Sequence, residues 1–141
     1  MKTRRESKQL KPNEEKIVEI IKSLDEKYPE LVVIVEGIRD ERVLRSLGLS
    51  ALIIKTQSGL SRPSLIDTIE QSLAPARQVL ILTDFDDEGE EIASFLKSEL
   101  ELRRVKLLER ERQQIRNHMG NLVCIEELVV LFKHKFSPEP V

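Results

Sequence analysis

Acidic residues gather in one stretch of the sequence, directly after a short apolar run. The run Val79-Leu80-Ile81-Leu82 leads into Thr83-Asp84-Phe85-Asp86-Asp87-Glu88-Gly89. Residues two apart on an extended segment point to the same side, so the carboxylates of Asp84 and Asp86 are expected to converge. Glu88 would follow on the first turn of a helix. Carboxylates this close repel one another unless a cation lies between them, and oxygen ligands at this spacing suit Mg²⁺ or Mn²⁺ rather than zinc.

A second acidic position follows another apolar run. Leu31-Val32-Val33-Ile34-Val35 is continuous and largely β-branched, as in strands that are buried on both faces, and Glu36 comes directly after it. Gly37 permits a tight turn or a close backbone approach, and Asp40 is a good N-cap for the helix that follows. The alternative is purely structural: a strand end, a turn and a cap. In the first cluster, similarly, one aspartate would cap a helix and the glutamates would complement its dipole.

Strand-like and helix-like segments alternate along the chain. Buried strands are predicted at 31–35, 51–54 and 79–82, an edge strand or a helical continuation at 105–108, and helices at 13–27, 40–47, after Pro63, after the acidic cluster, near 109–118 and near 125–133. This alternation predicts an α/β fold with a central, mainly parallel sheet of about four strands flanked by helices. Ligands of such sheets bind beyond the carboxyl ends of the strands, which is where both acidic motifs stand.

The 141 residues are enough for one compact domain with its own core. We expect a basic N-terminal tail at 1–12, an N-terminal helix at 13–30, a core at 31–108 and a C-terminal helical extension at 109–141. The single Cys124 excludes an internal disulfide and a Cys-based zinc cage, which favours a cytoplasmic location. We interpret it as a packed apolar side chain rather than a nucleophile. No run approaches the roughly 20 apolar residues of a membrane span.

A formal net charge of −2 conceals a strong segregation of charge. Residues 84–101 hold eight acidic residues and one basic residue, whereas residues 103–118 hold six basic and two acidic ones. The arginines of the basic segment are candidates for binding a nucleic-acid backbone through bidentate phosphate contacts: Arg103, Arg104, Arg110, Arg112 and Arg116. Lys55, after the second strand, is a further candidate for a phosphate contact. The alternative is that these side chains pair with neighbouring glutamates or are merely solvated.

The two acidic motifs, in this order and each after a strand, resemble those of the Toprim domain. That domain is shared by bacterial primases, topoisomerases, overcoming-lysogenization-defect nucleases, recombination-repair proteins and the 5S ribosomal RNA maturase. The first motif is Glu36-Gly37 with Asp40, and the second is Asp84-Phe85-Asp86-Asp87-Glu88-Gly89, which is closest to the type IA topoisomerase form. The resemblance covers about residues 31–108, and it implies a Toprim (Rossmann-like) fold for that core.

The resemblance also implies roles for individual residues. Glu36 would act as general acid/base or as a metal ligand, Asp84 and Asp86 would bind Mg²⁺, and Glu88 would support a second ion or a water. Glu36, Asp84 and Asp86 would thus be the catalytic residues, with Gly37, Asp40, Lys55 and Gly89 in support. The size is similar to that of small stand-alone Toprim proteins of archaea and some bacteria, and to the catalytic half of the 5S ribosomal RNA maturase.

The chain also departs from two Toprim classes. A type IA topoisomerase needs a nucleophilic tyrosine in a separate gate domain, whereas the only tyrosine here is Tyr28, just before the first strand. A primase needs a zinc-binding segment and a long nucleotide-holding region. A complete topoisomerase or primase is therefore not expected.

The resulting hypothesis is a protein that uses Mg²⁺ (or Mn²⁺) to cleave RNA or DNA, as a nuclease or an RNA-processing factor. The alternative is a non-catalytic nucleic-acid-binding or scaffold module, with protein partners in an RNA-processing or DNA-repair complex. A third, weaker option is a phosphoryl-aspartate enzyme, because D-x-D also occurs in haloacid-dehalogenase-like phosphatases. Those enzymes place the motif after the first strand of their sheet, whereas here it follows the third.

Overall fold

The computed structural model describes residues 10–73 and 78–131. Its elements in chain order are α1 (Pro12–Lys27), β1 (Val32–Val35), α2 (Ile38–Ser46), β2 (Leu52–Lys55), α3 (Arg62–Gln71), β3 (Gln78–Ile81), α4 (Asp87–Leu102), β4 (Lys106–Leu107), α5 (Glu109–Asn117) and a 3-10 helix (Ile125–Leu128). Most of the predicted basic tail, and the predicted C-terminal extension beyond residue 131, lie outside the described residues. Among the described residues, no helix is both long and apolar enough to cross a bilayer.

The four strands form one sheet in the order β2-β1-β3-β4, and every neighbouring pair is parallel. The predicted α/β fold with a parallel sheet of about four strands is therefore confirmed. The segment at 105–108, for which strand and helix were both considered, forms the edge strand, with Lys106 opposite Gln78. Continuous apolar runs mark the inner strands because helices cover both faces of the sheet.

Alternate residues of β1 contribute to two separate apolar layers. Val33 and Val35 pack with residues of α1, α2 and α5 on one face of the sheet. Val32 and Ile34 pack with residues of α3 and α4 on the other face. All four side chains are at most 2% exposed, so the strand is fixed from both sides. The residue that follows it, Glu36, consequently has a well-defined position.

The strand order creates a switch point between β1 and β3. From β1 the chain moves outward to β2 on one side, and it then returns to place β3 on the other side. The segments that leave the carboxyl ends of β1 and β3 therefore diverge, which opens a crevice between them. Glu36 follows β1 and Asp84 follows β3 by three residues, so both acidic motifs stand at this crevice.

One helix begins earlier than the sequence predicts, and another begins at the predicted residue but as a 3-10 turn. Helix α2 begins at Ile38, and its N-cap is Gly37 rather than Asp40. Asp40 lies in the first turn, where its Oδ2 accepts a hydrogen bond from the Gly37 N–H at 2.9 Å. The apolar helix predicted near 125–133 begins as a 3-10 turn, and residues 129–131 are α-helical. The remainder of that predicted helix lies outside the described residues.

Candidate metal centre

The two acidic motifs meet through a hydrogen bond across the switch point. Glu36 Oε2 accepts a hydrogen bond from the Asp84 main-chain N–H at 2.9 Å. The Glu36 side chain is buried, with 7% of the residue exposed. Within residues 10–73 and 78–131, its second oxygen, Oε1, accepts no hydrogen bond. A buried carboxylate oxygen without a donor is unfavourable, and a cation is the kind of partner that would satisfy it.

The predicted convergence of Asp84 and Asp86 is observed. One ligand atom from each of Asp84, Asp86 and Cys124 lies within 4.8 Å of the other two. Asp84 Oδ1 accepts a hydrogen bond from the Ile125 N–H at 2.8 Å, and Asp86 Oδ1 accepts one from the Gly89 N–H at 2.7 Å. Asp86 is thereby the N-cap of α4 as well as a member of the group, so capping and metal binding are compatible roles for the same carboxylate.

Burial and mutual repulsion disfavour negative charge at this site. Burial is the largest cause of the raised pKa of Glu36, and the charges of Asp84, Asp86 and Asp40 raise it further. The pKa of Asp84 is also raised, chiefly by burial and then by Asp40 and Asp86, although the Ile125 N–H opposes the shift. A divalent cation would neutralise these carboxylates, so the site favours binding of such an ion.

Gly89 allows the first turn of α4 to lie directly on the end of the β3 segment. A Cβ atom at this position would stand 2.0 Å from the carbonyl oxygen of Asp84. The Thr83 hydroxyl, fully buried, donates a hydrogen bond to the Gly89 carbonyl at 2.8 Å. Only a residue without a side chain permits this approach, and the approach brings the Asp86 cap and the Asp84 carboxylate together.

The other predicted supporting residues occupy distinct places around the centre. The Asp40 carboxylate is buried and holds the Gly37 N–H. Lys55 is the last residue of β2, and its Nζ donates to Glu41 Oε1 at 2.8 Å, so its ammonium group is held by α2. Glu88 is exposed on the first turn of α4, outside the compact group of ligand atoms.

Arg112 is bound to the protein itself. Its Nη1 donates to the carbonyl oxygens of Ile81 and Thr83 at 2.9 and 3.0 Å, and its Nη2 contacts Glu90 Oε1 at 2.8 Å. The guanidinium also lies over the Phe85 ring, 4.6 Å from its centroid. These contacts give Arg112 a clear structural role, because the carbonyls at the end of β3 lack a strand partner from the short β4.

The predicted arginines do not form one surface. Arg103 and Arg104 follow α4 and precede β4, whose Lys106 pairs with Gln78 at the amino end of β3. Six residues of extended chain, at about 3.3 Å per residue, separate Gln78 from Asp84, so these two arginines lie roughly 20 Å from the acidic centre. Arg116 lies closer to the centre and pairs with Glu90 at 3.3 Å, and Arg110 is exposed on α5.

Sequence reasoning missed three residues near the centre. Arg39 and Arg42 are exposed on α2, and neither has an ion pair or hydrogen bond to the described residues. They line a groove together with Glu126 and Val129, next to the segment that holds Asp84. Two arginines one turn apart after Glu36-Gly37 were a usable signal. Cys124, by contrast, gave no local signal, because forty residues separate it from Asp84.

The Toprim domain profile matches residues 31–119, which is more than half of the chain. The chain belongs to the Toprim domain family. The match runs past residue 108, where the sequence analysis placed the end of the core, and it includes α5. Toprim membership, together with the acidic group, indicates a divalent-metal protein that acts on nucleic acid.

The chain is also similar to proteins of comparable length. The chain is 40% identical over 121 residues to a UPF0292 protein of Thermococcus gammatolerans, covering 85% of this chain and 86% of that protein. It is 32% identical over 104 residues to a UPF0292 protein of Methanocaldococcus jannaschii, covering 72% and 77%. A solved structure described as a putative protein from Aquifex aeolicus superposes with a TM-score of 0.64 at 28% identity, covering 77% of this chain and 94% of that one.

Proposed function

We propose that this Toprim protein is a metal-dependent nuclease that hydrolyses phosphodiester bonds of RNA or DNA, with structured RNA as the first substrate to test. The observation that carries the proposal is the contact of buried Glu36 with the Asp84 main chain at the switch point of the sheet, where the Asp84 and Asp86 carboxylates converge. The similarity of the motifs to the 5S ribosomal RNA maturase and to type IA topoisomerases supports phosphodiester chemistry.

Each residue of the centre has a role in this proposal. Asp84 and Asp86 would hold Mg²⁺ or Mn²⁺, and Glu88 on the exposed first turn of α4 would hold a second ion or a water. The ion supplies charge stabilisation for the phosphodiester in the transition state. Glu36 would act as general acid/base, because its raised pKa brings its proton exchange closer to neutral pH than that of an ordinary carboxyl.

The groove beside the centre offers a way to hold the substrate backbone. Arg39 and Arg42 line it together with Glu126 and Glu127, but neither arginine forms an ion pair with a described residue, and guanidinium groups bind phosphate through paired hydrogen bonds. The groove is lined by Glu126, two residues after Cys124, whereas Arg103 and Arg104 lie near the amino ends of β3 and β4. We therefore assign the first substrate contacts to α2 rather than to the predicted basic segment.

The proposal is tested by cleavage of labelled 5S precursor, structured RNA and single-stranded DNA with Mg²⁺ or Mn²⁺. Glu36→Gln keeps the size of the side chain and should abolish cleavage. The matched control is Glu19→Gln, at an exposed position of α1 for which the structure shows no side-chain contact, and it should retain full activity. Cleavage that persists in the Glu36→Gln protein would refute the assignment of the centre.

The alternative is a non-catalytic binding or scaffold module. It is favoured by the fact that Arg112 and Arg116 engage Glu90 in the same chain, which leaves fewer cations for substrate near the centre. A module of this kind would bind nucleic acid or protein partners without metal-dependent turnover. Its association would also survive Asp84→Asn and Asp86→Asn, whereas a nuclease should lose turnover with either change.

A further inference from the structure

The centre contains a sulfur atom as well as carboxylate oxygens. The Cys124 Sγ lies within 4.8 Å of a carboxylate oxygen of Asp84 and of one of Asp86. Ligand atoms that share a tetrahedral ion stand about 3.4–3.6 Å apart, given metal–oxygen distances of about 2.1 Å and a metal–sulfur distance of about 2.3 Å. Side-chain rotations of about an ångström would therefore bring all three atoms onto one ion.

The main chain fixes Cys124 on both sides. The Val123 carbonyl accepts a hydrogen bond from the Phe85 N–H at 2.7 Å, and the Ile125 N–H donates to Asp84 Oδ1 at 2.8 Å. The Cys124 N–H itself donates to Glu127 Oε1 at 2.8 Å. The thiol is therefore held beside the two aspartates by the same contacts that orient Asp84. The Glu36 carboxylate, buried and hydrogen-bonded to the Asp84 N–H, lies beside this group, and the Toprim match indicates a divalent-metal site independently of the cysteine.

We propose that Cys124 is a ligand of the metal centre and that it allows the centre to bind thiophilic divalent ions such as Zn²⁺ or Cd²⁺ in addition to Mg²⁺ or Mn²⁺. Thiolate ligands favour zinc and cadmium, whereas carboxylates alone favour Mg²⁺ and Mn²⁺. On binding, a metal–sulfur bond forms and the thiol proton is released to solvent. Zn²⁺ would occupy the site with Asp84, Asp86 and Cys124 as three protein ligands, and it would compete with Mg²⁺. The inference rests on the metal site of the proposed function, but it does not require nuclease activity.

The test uses the full chain and Cd²⁺ or Co²⁺ as spectroscopic probes. The wild type should develop a sulfur-to-metal charge-transfer absorption, in the near ultraviolet with Co²⁺ and at shorter ultraviolet wavelengths with Cd²⁺, and Cys124→Ser should not. The Cys124 thiol hydrogen-bonds to the Asp84 carboxylate. A serine hydroxyl can make the same hydrogen bond, so if Cys124 serves only as a donor, Cys124→Ser should not lower the affinity for Cd²⁺. We expect the affinity for Cd²⁺ to fall at least about tenfold, as metal sites do when even an outer partner is lost, with the affinity for Mg²⁺ unchanged.

A measurement on the wild type covers the case in which the serine variant does not fold. Because Cys124 is the only cysteine, its reaction with a thiol reagent in the folded protein reports on this site alone. Zn²⁺ should slow the reaction, and Mg²⁺ should slow it much less. Absence of the charge-transfer band at saturating Cd²⁺, equal Cd²⁺ affinity in Cys124→Ser, or equal protection by both ions would each overturn the inference.

The two proposals fail in different ways. A charge-transfer band without any cleavage would leave the sulfur ligand in place and remove the nuclease assignment. If Mg²⁺-dependent cleavage is lost in Glu36→Gln but no charge-transfer band appears, the nuclease proposal is supported and the sulfur ligand is refuted.

Discussion

Replacing Gly89 by alanine should damage both the fold and the metal centre. The added Cβ would stand 2.0 Å from the Asp84 carbonyl oxygen, whereas real Cβ contacts are essentially never under 3.0 Å. The obstructing atom belongs to the main chain, so no side chain can rotate away. The first turn of α4 must therefore move away from the end of the β3 segment by about an ångström or more.

That movement breaks identifiable interactions. Overpacking of this kind costs about 1–3 kcal/mol, and loss of the Asp86 cap costs about 0.5–2 kcal/mol. The buried hydrogen bond from Thr83 to the Gly89 carbonyl contributes about 1 kcal/mol, while alanine's helix propensity returns at most about 1 kcal/mol. We expect the free energy of unfolding to fall by about 2–5 kcal/mol, and the Mn²⁺ affinity to fall because Asp84 and Asp86 separate.

Urea unfolding of the metal-free protein and calorimetric titration with Mn²⁺ measure the two effects. Gly37→Ala is the matched control, because its Cβ would meet only the end of the Gln57 side chain, at 2.8 Å. That side chain can move, so the control should stay within about 1 kcal/mol of the wild type, the range of an ordinary mild substitution. If Gly89→Ala matches Gly37→Ala in stability and in Mn²⁺ affinity, the close approach is not what assembles the centre.

Two further changes separate electrostatic cost from structural support. Burial raises the pKa of Asp84 in the folded state, so the folded protein binds protons more readily at this group than the unfolded protein does. The protonated group's contribution to the free energy of unfolding is therefore fully present below the unfolded pKa, and it is lost as the pH rises through the folded pKa. Metal-free Asp84→Asn should therefore be more stable than the wild type at pH 7 in urea unfolding, with the difference vanishing near pH 3, and a less stable variant at pH 7 would contradict this. Arg112→Met should lower the free energy of unfolding by about 2–4 kcal/mol, because it removes two hydrogen bonds to carbonyl oxygens and the contact with the Phe85 ring. The control Arg116→Met, which removes an exposed ion pair, should lower it by less than about 1 kcal/mol. Equal effects of the two changes would show that the carbonyl contacts are unimportant.

The sheet and the acid pair were predictable because local patterns encode them. A parallel strand covered on both faces needs an unbroken apolar run, which β1 supplies with Val32–Val35. The carboxyl ends of such strands meet at one edge, so Glu36 and Asp84 were expected near each other before any coordinates were known. Their direct contact, from Glu36 Oε2 to the Asp84 N–H, confirms that they meet.

Contacts between distant parts of the chain were not predictable in the same way. Arg112 looked like a phosphate ligand because it lies in a basic segment, but its partners are carbonyls about thirty residues earlier. Arg103 and Arg110 looked like neighbours on one surface, yet β4 lies between them in the chain and runs from the amino ends of the strands towards the carboxyl ends. No periodicity or spacing in the sequence records such pairings.

The metal centre combines a segment inside the Toprim match with a segment beyond it. The match ends at residue 119, whereas Val123 and Ile125 hydrogen-bond to Phe85 and Asp84. The carboxylates that define the family are thus oriented partly by a peptide segment that the family profile does not include. That segment also carries Cys124, so in the proposed metal site it would influence which ion binds without any change in Asp84 or Asp86. The strand ends position the carboxylates, and the segment that packs against them brings the sulfur atom beside them.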